Sequence, residues 1–166
     1  MLIEKKHNSD LYNILLFLSR NIFFYKDLSL KDSYETRIYL MFMHYSVILI
    51  IFKMKGFKPD QDNYNNLFHS IEYNLRELGF GDVTVNKKMK EFNKILYDIL
   101  LKLNIANTSD IKFKMNHKLI SKYFEQLNNI KSINYVQFET YFMNFFNFCF
   151  ELPLDNMIED LNKFKI

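Results

Sequence analysis

Asp32-Ser33-Tyr34-Glu35-Thr36-Arg37-Ile38-Tyr39-Leu40-Met41-Phe42-Met43-His44-Tyr45-Ser46-Val47-Ile48-Leu49-Ile50-Ile51-Phe52 is the stretch that decides the fold. Asp32 with Glu35 three residues later has the spacing of a capping box, and the helix it opens runs to about Met54, ahead of Gly56 and Pro59. From Ile38 to Phe52 only His44 and Ser46 interrupt an apolar run, so the helix is apolar all round. Such a helix lies either at the centre of a domain or in a bilayer. Its fifteen apolar-run residues span about 22 Å at ~1.5 Å per residue, short of a ~30 Å hydrocarbon core. The stretch predicts a buried central helix with neighbours on every side.

Working outward, a first helix is expected near residues 9–25, with Ser9 or Asp10 as N-cap. Leu11, Ile14, Leu15, Leu18 and Ile22 form one stripe, and Tyr12, Leu16 and Phe23 widen it, leaving Asn13, Ser19, Arg20 and Asn21 for water. A third helix is expected over 61–78, its core face made of Tyr64, Leu67, Ile71, Leu75 and Leu78, with His69, Glu72, Tyr73 and Arg76 opposite. Gly79 is placed to end it in a left-handed conformation, and Gly81 begins a tight link in which Asp82 or Thr84 caps the next helix.

That fourth helix, near 85–103, has a core stripe of Val85, Met89, Phe92, Leu96, Ile99 and Leu103. Its reverse face carries Lys87, Lys90, Glu91, Lys94 and Asp98, the last two an i,i+4 pair. Asn104 to Met115 is the longest expected linker, followed by a helix near 116–129 capped by Asn116. A sixth helix near 134–150 turns Phe138, Tyr141, Phe142, Phe145, Phe148 and Cys149 one way and Gln137, Thr140, Asn144 and Asn147 the other. Pro153 ends it and Asp155 opens a short last helix. The expectation is an all-α fold, a single compact domain of about seven helices around the central apolar helix, with no strand and no internal repeat.

Composition agrees. A chain of 166 residues, 49% apolar, can bury a real core, and its three Gly and two Pro are too few for the turns of a sandwich or barrel. Abundant Asn, Lys, Ile, Phe and Tyr, with Ala106 the one alanine, are what codons written with A and T encode, so they carry no functional argument. Lys+Arg of 22 against Asp+Glu of 19 leaves +3, without the concentrated charge of a dedicated nucleic-acid binder. The single Cys149 excludes an intramolecular disulfide and a Cys-based zinc site.

Most chemical constellations are absent. His7, His44, His69 and His117 never fall in HExxH or four-ligand zinc spacings, and no GxSxG, Walker loop or GxGxxG occurs. No metal and no cofactor is expected. His44 on the central helix is expected to be a core histidine bonded to a nearby backbone group or tyrosine, and the phenylalanines of the sixth helix to be core. The polar group His69, Glu72, Tyr73 and Arg76, with Glu77 at its edge and Asp82 beyond the turn, could present one hydrogen-bonding surface.

Asn74-Leu75-Arg76-Glu77-Leu78-Gly79-Phe80-Gly81-Asp82-Val83-Thr84-Val85 and Lys87-Lys88-Met89-Lys90, preceded by Leu67-Phe68 and by Tyr34-Glu35-Thr36-Arg37 leading to His44, resemble the signature of the ubiquinol–cytochrome c chaperone family. The likeness covers roughly 32–100, is strongest over 74–90, and makes about 32–104 the family-like core on which helices 9–25 and 116–165 pack. It departs at His69 and Tyr73, where family members commonly carry acids, and at Tyr97-Asp98-Ile99, where they carry Tyr-Gly-Arg. The resemblance implies an all-helical, non-enzymatic assembly factor of the cytochrome bc complex, respiratory complex III. Its client would be newly made cytochrome b or another subunit, with a small partner protein, the ribosome and peripheral membrane contact as further associations. It brings no catalytic residue.

Under this resemblance Arg76, Glu77 and Asp82 are expected to form the recognition edge, joined by His69, Glu72 and Tyr73, with Gly79 and Gly81 shaping the turn. Leu11, Leu15, Leu18 and Ile22 of the first helix are expected to give the apolar contact, with the sixth helix as a second source. Lys5 and Lys6 precede an apolar stretch without a small-residue cleavage site, so the expected location is cytoplasmic and peripheral to the inner membrane in a bacterium, or the matrix in a eukaryote. Two other readings compete. One is a helical carrier of haem, quinone or lipid between the second and sixth helices; the other is an enzyme using His69, Glu72 and Asp82 in a cleft.

Overall fold

Tyr34–Met54 is one unbroken helix in the computed structural model, which describes residues 10–103, 105–106, 112–113 and 115–165. In chain order the helices are α1 (Asp10–Ser19), α2 (Tyr34–Met54), α3 (Gln61–Glu77), α4 (Asp82–Lys102), α5 (His117–Tyr123), α6 (Ile133–Glu151) and α7 (Met157–Asp160). α2 is the axis: α1, α4 and α6 all pack on it. Among the described residues it is the one helix long and apolar enough to cross a membrane, yet 61% of its most apolar window is buried against its neighbours. The all-α class and the central apolar helix are as the sequence predicts.

Its start differs in detail. Ser33 is the N-cap, its Oγ accepting from Thr36 N at 3.2 Å, while Asp32 stands outside the helix and pairs with Arg37 at 2.5 Å. A hydroxyl next to the first helical residue reaches the open backbone donors, and Asp32, one residue earlier, is left to take the guanidinium. The far end closes in a Schellman motif: Gly56, at φ 77°, donates to Lys53 O, and Phe57 N donates to Phe52 O at 3.0 Å.

The first helix is shorter than its apolar pattern. α1 stops at Ser19, whose Oγ bonds back to Leu16 O at 2.9 Å, and Asn21 Oδ1 then accepts from Phe23 N at 3.0 Å to start a separate π-turn over Phe23–Asp27. Tyr25 OH donates to Ser19 O at 2.7 Å and holds the two pieces together. Short polar side chains have offered the backbone an alternative to the helix. The break carries Phe24 into the core, where its ring lies 4.7 Å from that of Tyr141. Ser19 is therefore buried, against expectation, and Ser9 lies outside the described residues.

The remaining elements follow the pattern more closely. Asp60 caps α3 and Asn116 caps α5. Within the expected linker, Ile105–Ala106 and Lys112–Phe113 pair as a two-residue antiparallel ladder, β1 and β2, which the sequence reading does not anticipate. The expected helix 116–129 ends at Tyr123 and continues as a 3₁₀ turn over Glu125–Leu127. Asp98 does not pair with Lys94: it accepts from Lys102 at 2.6 Å, Lys122 at 2.9 Å and Tyr123 OH at 2.5 Å. An acid N-terminal to its lysine at i,i+4 is the favoured order, and α5 supplies the rest. Burial opposes its charge, but these three donors together hold the Asp98 carboxyl well below the usual carboxylate range.

Candidate functional site

Leu75, Ile71 and Leu67 turn inward from α3, so the helix has one committed face, and its last turn must leave the core to reach α4. Gly79, at φ 96°, makes that exit through a second Schellman motif, donating to Arg76 O at 3.0 Å while Phe80 N donates to Leu75 O at 3.3 Å. Leu78, expected on the core stripe, keeps helical backbone but stands at the end of the helix beyond the packing, 58% exposed. Phe80 and Val83 join it at the surface, Val83 at 84% exposure. Lys88 Nζ sits 5.1 Å from the centre of the Phe80 ring, a cation–π contact across the turn.

Arg76 crosses this apolar rim. It donates to Glu72 Oε1 at 3.1 Å and to Asp82 Oδ1, so the last turn of α3 is tied to the first residue of α4. The hydrogen bonds to Asp82 and Glu72 raise the Arg76 pKa further. Asp82 is the first residue of α4, and Gly81, in extended conformation, is the N-cap. This corrects the expectation that Asp82 or Thr84 caps the helix. It also corrects the role given to Gly81: its φ is ordinary and its surroundings are open, so of the two glycines in this turn Gly79 is the one that requires glycine.

The structure thus joins Arg76, Glu72 and Asp82 of the expected recognition edge. Glu77 is exposed; burial pushes up the Tyr12 hydroxyl on α1, with Arg20 opposing and the charge of Glu77 adding to the rise. Tyr73 is half-buried, and His69 is exposed without an ion-pair partner among the described residues. Asp82 has 82% of its side chain exposed on a projecting turn, so His69, Glu72 and Asp82 do not line a cleft.

The expected apolar contact of α1 is also corrected. Leu11, Leu15 and Leu18 are each at most 3% exposed, because α1 spends that stripe on α2 and α3. Only Ile22, beyond the helix end, and Phe17 stand out, at 69% and 65%. On α6 the exposed apolar residues are Ile133, Val136 and Met143, interleaved with the polar face the sequence predicts. The spacing showed the stripe, but not that the domain itself covers it.

Between α2 and α6 the interior is filled with rings. His44 lies at their centre, fully buried, its ring 4.8 Å from that of Phe145 and 4.9 Å from that of Phe142. Leu40 O can only accept, so Nδ1 carries the proton and donates to it at 2.6 Å; Nε2 then accepts from Tyr141 OH at 2.7 Å. Burial lowers the His44 pKa to about 4, the Leu40 bond working the other way, and burial raises the Tyr141 hydroxyl above its ordinary range. This is the core histidine the sequence predicts, and the place expected for a haem, quinone or lipid pocket is occupied by Phe24, Phe138, Phe142 and Phe145. Burial likewise raises the Cys149 thiol, which is inert as a nucleophile there. Among the described residues no cluster of His, Cys, Asp and Glu could hold a metal ion.

The family model described as Ubiquinol-cytochrome C chaperone matches residues 26–112, more than half of the 166 and including α2, α3, α4 and the turn around Gly79. No curated protein and no solved structure matches the chain significantly.

Proposed function

The chain belongs to the ubiquinol-cytochrome C chaperone family, and from that membership we propose that it is a non-enzymatic assembly factor holding newly made cytochrome b, or a related membrane-protein subunit, while the cytochrome bc complex is built. The observation that carries this reading is the α3–α4 turn, where Leu78, Phe80 and Val83 stand exposed around the paired Arg76. A factor that shields apolar client segments needs exposed apolar surface, and it needs polar groups of fixed geometry to set which segment it takes. The turn offers both on a rigid support. Glu72 and Asp82 hold the guanidinium from two sides, so its remaining donors are oriented before a client arrives.

In this reading the protein works beside the inner membrane, on the side where cytochrome b is synthesised, and a small partner protein and the ribosome are its other associations. The test uses cytochrome b made in a membrane-free translation reaction. It is expected to stay in solution and co-purify with the native protein. Leu78→Asp with Val83→Asp, both at exposed positions, is expected to lower recovery about tenfold, the ratio that ~1.4 kcal/mol of binding produces. Unchanged recovery with the folded double variant removes the turn from this account, and no recovery with the native protein removes the client.

A further inference from the structure

α4 is 21 residues long, so at ~1.5 Å per residue its C-terminal end lies about 30 Å from the turn just described. There a groove of about 960 Å³ opens between the last turns of α2 and α4. One wall is an α2 stripe of Leu49, Ile50 and Met54; the other is an α4 stripe of Leu96, Leu100 and Leu101. The Schellman motif at Gly56 folds Phe57 and Lys58 across one side. Leu101 is 75% exposed and Phe57 60%, so both sides of the groove present apolar side chains at the surface.

Among the described residues that line the groove the charged side chains are Lys53 and Lys58, both exposed and without an ion-pair partner among the described residues. Two neighbouring helical walls that carry apolar stripes fit a third helix of ~10 Å diameter. A bilayer surface is met instead by a helix that lies flat and presents one open apolar face, which a concave trough does not. We propose that this groove docks an amphipathic helix of a protein partner, apolar on one face and acidic along the flank that meets Lys53 and Lys58. The inference rests on the protein-holding reading above and adds to it a second contact, at the opposite end of the α3–α4 hairpin, with its own chemical preference.

The test is fluorescence anisotropy with the full chain and two labelled helical peptides of about 14 residues, enough for ~20 Å of helix. Both carry leucines at i, i+3, i+4 and i+7; one is flanked by glutamates, the other by lysines. The glutamate peptide is expected to bind the native chain at least about tenfold more tightly, as charge complementarity at an apolar groove requires. Lys53→Glu with Lys58→Glu is expected to reverse that preference, and Leu101→Glu, at an exposed position, to abolish binding of both peptides. Equal binding of the two peptides, or indifference to these substitutions, overturns the proposal. So does binding to phosphatidylglycerol vesicles but to neither peptide, which makes the groove a membrane contact. Concentration-dependent dimerisation lost in Leu101→Glu, again with no peptide binding, overturns it in favour of a second copy. The preceding reading is judged separately: cytochrome b recovered by native protein that ignores both peptides strikes the groove alone. Peptide selectivity without cytochrome b recovery supports the groove and strikes the client.

Discussion

His44 shows how one residue can look functional and be structural. A histidine inside an apolar helix could serve chemistry, but the core role that the sequence predicts is the one found: His44 Nδ1 donates to the Leu40 carbonyl and Nε2 accepts from the Tyr141 hydroxyl, with the side chain fully buried. Tyr141→Phe is expected to destabilise the fold by about 1–3 kcal/mol, since it leaves a buried ring nitrogen unsatisfied. Removing both partners, in His44→Leu with Tyr141→Phe, is expected to cost less than the sum of the single changes. The pH dependence has a fixed sign. The unfolded chain protonates His44 near 6.5 and the folded chain only near 4, so between those values unfolding takes up a proton and stability falls as pH falls. Across that window the contribution is about 3 kcal/mol, at ~1.4 kcal/mol per unit. Urea unfolding at pH 7 and pH 4.5 checks it: the wild type is expected to lose more stability than the double variant. Additive costs and identical pH slopes would show that the pair does not act as drawn.

Elements were legible where one face is apolar and the ends are marked by residues with a single structural use. Leu67, Ile71 and Leu75 of α3, and Val85, Phe92, Leu96 and Ile99 of α4, fall in the core as their spacing predicts, and Gly79 ends α3 in the left-handed conformation expected of it. What failed was local competition and what depends on contacts distant in sequence. Ser19 and Asn21 end α1 through their own side-chain bonds, and Asp98 finds Lys122 and Tyr123 on another helix, which no local pattern states. The exposure of Leu78 was not legible, because its backbone stays helical and only its place beyond the packed part of α3 leaves it outside. Nor was the groove, since it exists only where the ends of α2 and α4 meet. The two glycines of the turn give a sharp contrast. Gly79→Ala is expected to cost about 1–2 kcal/mol from backbone conformation alone, no atom lying within 4 Å of an added Cβ. Gly81→Ser is expected to be neutral or to stabilise by a few tenths of a kcal/mol, by giving α4 a side-chain cap. Thermal unfolding of the two variants decides it, and equal losses would contradict the assignment of glycine to one position only.

For the molecule as a whole, a small net charge, a mostly buried central helix, and an α3–α4 hairpin with exposed apolar residues at both ends describe a scaffold that presents surface and contains no cleft at the charged residues of the turn. The family match spans both ends of that hairpin, and the residues from 74 to 90 that carried the resemblance in the sequence are those that build the exposed turn. The most direct measurement is recovery of the tagged protein from its own cells in mild detergent after a short pulse of labelled amino acid. The account predicts that labelled cytochrome b is enriched with the native protein and depleted with Leu78→Asp and Val83→Asp. Labelled cytochrome b absent from the folded, abundant native protein would contradict it.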